Sequence, residues 1–185
     1  LVPRPELTGQ VVGVAEARRL AVIAGPSGSG KSALAYAAVH ELRSSYRWQQ
    51  VHSLTPTGRT GRDAVALLAA RIESLRPSPY APIGIMIDDA GRHDPGLLDR
   101  LLRRLADLPN VVTLVSIREE DRFPVPLLST IATITPMLED AFAERLWRDY
   151  QANNLTSWAG WREPAELAGG LLLEYVTLLT EGENL

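Results

Sequence analysis

Short apolar runs alternate with helical periodicity over roughly the first three quarters of the chain, and the alternation then stops. Five β-rich runs stand out: Leu20–Ala24, Trp48–Leu54, Ile83–Ile87, Val111–Ile117 and Thr130–Ile134. Between them the apolar spacing predicts helices near 31–44, 62–75 and 94–107, with a further stretch near 119–129. The 94–107 segment carries clear punctuation. Asp94 can cap, Pro95 suits the first helical position, and Leu97, Leu98, Leu101, Leu102 and Leu105 form one stripe, which turns Arg100, Arg103 and Arg104 toward solvent. Strands alternating with helices predict an α/β fold with a parallel sheet.

Beyond residue 135 the pattern is helical throughout. One segment starts at Pro136, with Leu138, Phe142 and Leu146 at fourfold spacing, and another runs from about Glu163 to Thr180. Residues 151–162, with Asn153, Asn154 and Gly160, read as the connection, and Trp147, Trp158 and Trp161 as core of this region. The expected division is therefore a core over 1–135 and a small helical lid over 136–185. Because the chain opens on Leu1 and ends within a helical pattern, it is expected to be a piece of a longer protein.

Composition narrows the class without choosing a function. Hydrophobic residues make up 45% and charged residues 22%, the balance of a globular chain. A formal charge of −3 provides no basic field for nucleic acid, so that partner is not indicated. With no cysteine, disulfides and thiolate metal sites are excluded. His40, His52 and His93 show no ligand spacing. No apolar run reaches the roughly 20 residues of a membrane span, and the expected location is cytoplasmic.

The turn after the first strand changes the picture. Gly25-Pro26-Ser27-Gly28-Ser29-Gly30-Lys31-Ser32 fits G-x-x-x-x-G-K-[ST] at every fixed position, between a strand and a helix. Its glycines let backbone N–H groups converge on an anion, and the following helix directs its positive end there. Lys31 adds a charge for the β- and γ-phosphates, and Ser32 offers a hydroxyl to magnesium. Candidate nucleotide contacts are thus Gly25, Pro26, Ser27, Gly28, Ser29, Gly30, Lys31, Ser32 and Ala33. A magnesium–triphosphate complex also needs a carboxylate at a neighbouring strand end, which "IGIMIDD" supplies at residues 83–89. Asp88 is the candidate magnesium ligand, and Asp89 the group that orients or deprotonates water. At the end of "VVTLVSI", Ser116 and Arg118 are placed beside the terminal phosphate, where an arginine can tell ATP from ADP. With these two nucleotide-binding strands flanking it, the fourth strand is central and the sheet order becomes 5-1-4-3-2. That is the P-loop NTPase three-layer sandwich with a parallel five-stranded sheet.

"AGPSGSGKS", "IMIDDAG" and "LVSIRE", in this order, resemble the STAND ATPases, the signal-transduction NTPases with numerous domains, relatives of the AAA+ group. Ser116-Ile117-Arg118 matches the family's Thr/Ser-x-Arg. "ITPMLEDAFAERL", which contains Pro136, is similar to the segment that opens the family's lid. "AGGLLLEYVTLL" resembles its glycine–x–proline region, with Leu171 in the place of the proline. Arg4, ahead of the first helix, sits where the family often has an arginine near the nucleotide, and Arg4 and Pro136 join the candidate nucleotide contacts on that ground. The resemblance implies ATP/ADP and Mg2+ as cofactors, with Lys31, Asp89 and Arg118 catalytic. It further implies a slow, regulatory ATPase that self-associates through this module, flanked by effector and sensor domains in a signalling or defence protein. Three other readings stay open. One is a mechanical AAA+-type ATPase, with Arg122 or Arg104 as the arginine offered to a neighbour. Another is a small-molecule kinase, which Asp89 disfavours. The third is a binding module that never hydrolyses, the outcome if Asp89 is misplaced. No N-K-x-D guanine-reading sequence is present, which favours adenine.

Overall fold

The computed structural model describes residues 4–44, 50–54, 67, 70–72, 74 and 82–182. The chain divides into two compact units. One holds Pro5–Gly25 and Lys31–Thr135; the other gathers Arg4, Pro26–Gly30 and the chain from Pro136 onward.

The first unit is built on a parallel sheet. Its strands are β1 (Leu20–Ala24), β2 (Gln50–Leu54), β3 (Ile83–Ile87), β4 (Val111–Ile117) and β5 (Thr133–Ile134), in the order β2-β3-β4-β1-β5. Every neighbouring pair is parallel. This is the order expected from the chain, read from the opposite edge. Strands β1, β3 and β4 are buried along their whole length, which is why they read as near-continuous apolar runs rather than as alternating ones, with Thr113 and Ser116 the buried polar residues of β4. Alternation survives only in which helix each residue meets. Ala21 and Ile23 pack with Val11, Leu34 and Leu42 of helices α1 (Pro5–Arg18) and α2 (Lys31–Ser44). Val22 and Ala24 face the other way, into the cluster holding Leu98, Leu101, Leu102 and Leu105 of α3 (Pro95–Asp107). Three layers result. Helix α3 starts where its sequence says it should: the Asp94 carboxylate accepts the Leu97 N–H at 2.9 Å, and Pro95 takes the first helical position.

Two boundaries in this unit differ from the sequence expectation, each for a local reason. Instead of one helix over 119–129 there is a 3-10 turn, Glu120–Arg122, and a short α4, Pro126–Ser129. Pro124 and Pro126 lack the N–H groups a continuous helix needs. Strand β5 spans Thr133–Ile134 rather than 130–134, because the chain is still winding out of α4. The Thr130 and Ile131 N–H groups donate to Leu127 and Leu128 carbonyls, both at 3.3 Å. Of the second strand, Trp48 and Gln49 lie outside the described residues, as does most of the helix expected over 62–75; residues 67, 70–72 and 74 are helical, and Ile72 is buried in the core.

The second unit is helical. Helix α5 (Asp140–Ala152) begins four residues after Pro136, with Glu139 at its cap. The segment expected to run from Glu163 to Thr180 is two helices, α6 (Arg162–Leu167) and α7 (Leu172–Glu181). Gly169 and Gly170 break it with φ of 57° and 85°, a left-handed turn that glycine adopts without steric cost. Phe142, Leu146, Trp158, Tyr175 and Leu179 form the core of this unit. Its polar atoms are paired as burial requires. The Trp147 indole N–H donates to the Trp158 carbonyl at 3.0 Å, the Trp158 indole N–H to the Leu178 carbonyl at 2.8 Å, and the Tyr175 hydroxyl to the Ala143 carbonyl at 2.9 Å. Burial pushes the Tyr175 phenol well above its usual range. Among the described residues no helix is long and apolar enough to cross a membrane.

Candidate functional site

The glycine loop joins β1 to α2. Gly28 and Gly30 have φ of 80° and 94°, the left-handed region that an L-residue enters only with strain. Pro26 and Ser27 are exposed, whereas Gly25 and Ser29 are buried. The Ser29 hydroxyl is enclosed with no hydrogen-bond partner, an uncommon state for a buried polar atom.

Within the sheet unit, the acids stand where parallel register puts them. Ile87 pairs with Val115, and Ile23 with Ser116. The residues that follow β3 therefore emerge level with the end of β4. Asp88 is mostly buried and takes two hydroxyl donors on its Oδ1: Ser32, at 2.8 Å, and Ser116. Ser116, itself buried, also accepts the Asp89 N–H at 2.9 Å. That hydroxyl pins both acids at once. Asp89 sits at φ 50°, ψ 48°, a left-handed conformation rare outside glycine and asparagine, and its carboxylate pairs with Arg92 three residues on. Asp89 thereby presents its carboxylate from a sharp turn instead of continuing the strand.

Lys31 and Ala33 open α2 and are partly buried. Burial holds the Lys31 ammonium below its ordinary pKa, while the nearby Asp89 carboxylate opposes that shift and Arg118 adds to it. Lys31, Ser32, Asp88, Asp89 and Ser116 thus lie together in one unit, with Arg118 close enough to act on Lys31. Arg118 is exposed and, among the described residues, forms no ion pair; Glu119 pairs with Arg122 instead. Arg122 is further tied by donation to the Ile131 carbonyl at 3.3 Å and by lying over Phe123. That engagement leaves it a poor candidate for an arginine offered to a neighbour.

Arg4 is placed in the helical unit. Its guanidinium donates to the Met137 carbonyl, lies 3.7 Å from Glu139 and stacks 4.7 Å above Phe142. Burial lowers its pKa, with Glu139 pulling the other way. Pro136 is buried just ahead of these partners. Helix α7 starts at Leu172 with Leu171 as its cap, so the first helical position, where proline is pre-organised, falls at Leu172.

Three features escaped the sequence reading. Ser116 was expected beside the terminal phosphate, but its hydroxyl is engaged by the acids; only the strand register could have revealed this. Arg92 stands at the i,i+3 spacing of an ion pair with Asp89, a signal that was present. His93 is buried with neither ring nitrogen paired, and nothing in its sequence context marks it.

Comparison with known proteins settles the family. The family description Novel STAND NTPase 1 matches residues 2–125, more than half of the chain. The chain belongs to this family. The STAND resemblance carried by its three motifs is therefore correct, and the chain is a STAND-type NTPase module. Several solved structures share the fold. A RuvB variant from Thermotoga maritima aligns with a TM-score of 0.62 at 18% identity, covering 96% of this chain and 61% of that one. The Walker-type ATPase of Pyrococcus abyssi gives 0.61 at 15%, covering 98% and 67%. PCH-2 of C. elegans gives 0.60 at 14%, covering 83% and 48%. At these identities the likeness is one of fold, and the chain spans about half to two thirds of each structure's length. A comparison with curated proteins returns no match.

Proposed function

We propose that this STAND module binds ATP and ADP with Mg2+, hydrolyses ATP slowly, and uses the bound nucleotide to switch the state of a larger signalling or defence protein, by self-association. The observation that carries the reading is the buried hydroxyl–carboxylate cluster in which Ser32 and Ser116 hold Asp88 while Asp89 is turned out beside it.

The residues fit a nucleoside polyphosphate and its cation. An enclosed, unpartnered Ser29 hydroxyl and two left-handed glycines suit an anion cradle. A hydroxyl and a carboxylate oxygen at 2.8 Å suit a hard cation that takes oxygen ligands. Gly25 to Ala33 would hold the phosphates, with Ser32 and Asp88 holding magnesium. Magnesium, when bound, neutralises charge on the phosphate oxygens. Lys31 supplies a fixed positive charge, and Asp89 orients the attacking water and accepts its proton. Arg118, exposed and without an ion-pair partner among the described residues, is the residue we assign to reading the terminal phosphate. Differential contact of that kind is what allows a phosphate to bias one conformation over another. Arg4 and Pro136 complete the proposed nucleotide contacts; Arg4 would do so from a guanidinium already anchored by Met137 and Glu139.

Denaturing the purified protein and identifying released nucleotide by chromatography tests the switch. Near-stoichiometric ADP is expected. Nucleotide-free protein that also fails to take up ADP would overturn the reading.

A further inference from the structure

The phosphate loop is held from the side by α7. The peptide unit joining Gly28 to Ser29 is pinned at both ends: its carbonyl accepts the Leu173 N–H at 2.9 Å, and its N–H reaches the Pro26 carbonyl at 3.4 Å. The leucines at the start of α7 then close over the glycines. A methyl group at Gly28 would lie 3.1 Å from the Leu173 Cβ, and one at Gly30 would lie 2.9 Å from a terminal methyl of Leu172. The absence of a side chain at these two positions therefore serves the approach of a helix as well as the backbone conformation. Leu173 is more than half exposed, so its side chain contributes little by burial; the contact is chiefly a backbone one.

A left-handed glycine loop is an anion nest only while its peptide planes keep one orientation, and a free glycine peptide flips readily. With its carbonyl bound to Leu173, the Gly28–Ser29 peptide cannot flip without breaking that bond. We propose that the first turn of α7 is the positioning element of the phosphate loop: the Leu173 N–H holds the Gly28 carbonyl, Leu172 covers Gly30, and the loop is thereby kept in its phosphate-accepting form. Leu172 and Leu173 touch the loop, and in this proposal they act through it. Coupling of this kind is reciprocal, so whatever factor the α7 contact contributes to nucleotide affinity, nucleotide returns to the contact. This inference rests on the reading that the loop takes a nucleoside polyphosphate.

A proline at Leu173 tests the bond. Proline is accepted in a helix's first turn, and it deletes the N–H that Gly28 receives. Leu173→Pro is expected to raise the Kd for fluorescent ADP about three- to tenfold, the worth of one neutral hydrogen bond, while the single-turnover rate at saturating ATP stays as in the unaltered protein. Leu173→Ala keeps the N–H and should bind ADP as the unaltered chain does. Equal Kd values for all three proteins would overturn the proposal, as would a weakening in Leu173→Ala equal to that in Leu173→Pro. Because Leu173→Pro could disturb α7 itself, amide hydrogen exchange on the unaltered protein provides the second measurement. Saturating ADP should slow exchange at the Leu173 amide by a similar three- to tenfold. If the amides of the Pro26–Gly30 loop gain protection and Leu173 does not, the positioning role is wrong. If ADP leaves the loop amides themselves unchanged, it is the nucleotide reading that fails.

Discussion

Ser116→Ala deletes one oxygen and disturbs two acids. The hydroxyl is buried, donates to the Asp88 carboxylate and accepts the Asp89 N–H at 2.9 Å. A hydrogen bond to a charged group is worth about 1.5–3 kcal/mol, and an N–H left without a partner costs about 1–3 kcal/mol. The sum is an upper bound, because Ser32 still donates to the same Asp88 oxygen at 2.8 Å. A loss of about 2–4 kcal/mol follows. For a chain of this length that lowers Tm by roughly 5–12 °C. Urea denaturation followed by far-UV circular dichroism measures the loss directly. Since Ser32 and Ser116 share one acceptor atom, removing either lets the other tighten. Ser32→Ala with Ser116→Ala should therefore cost more than the two single losses added, by roughly 0.5 kcal/mol or more. A Ser116→Ala protein within about 0.5 kcal/mol of the unaltered one would refute the claim that this hydroxyl organises the acid pair.

His93 yields a stability prediction and a pH prediction. Both ring nitrogens are buried without partners, so His93→Leu should stabilise the protein by about 1 kcal/mol in urea titrations at pH 7.5. Burial holds the imidazole pKa below its usual value near 6.5, with Asp89 opposing the shift. The folded chain then binds a proton less readily than the unfolded one. This residue costs nothing more above about pH 6.5 and removes stability as pH falls below it, down to its folded pKa. The stability gap between His93→Leu and the unaltered protein should widen from pH 7 to pH 5; a constant gap would mean that the imidazole titrates normally.

Much of this arrangement is legible in the sequence because it depends on local physics. Unbroken apolar runs such as Ile83–Ile87 announce strands covered on both faces, and a glycine-rich run between strand and helix announces a tight turn with left-handed glycines. Asp94 and Pro95 announce the start of α3. What could not be read depends on register or on backbone choices between competing signals. The leucine-rich 171–179 stretch hides the break at Gly169 and Gly170, because its periodicity matches that of a longer helix. Ser116 lies level with Asp88 only once β3 and β4 are paired, and the donation from Leu173 to Gly28 joins residues far apart in the chain. Arg4 is legible only by its place ahead of the first helix; its partners Met137, Glu139 and Phe142 lie far along the chain and no local pattern names them.

The central claim is that the glycine loop binds nucleotide and that Asp89 drives its hydrolysis. Binding of Mg-ATP and single-turnover hydrolysis, measured side by side for the unaltered protein, Lys31→Ala and Asp89→Asn, test it most directly. The account predicts that Lys31→Ala loses binding, whereas Asp89→Asn binds as before and hydrolyses about a hundredfold or more slowly. Hydrolysis by Asp89→Asn at the unaltered rate would contradict it.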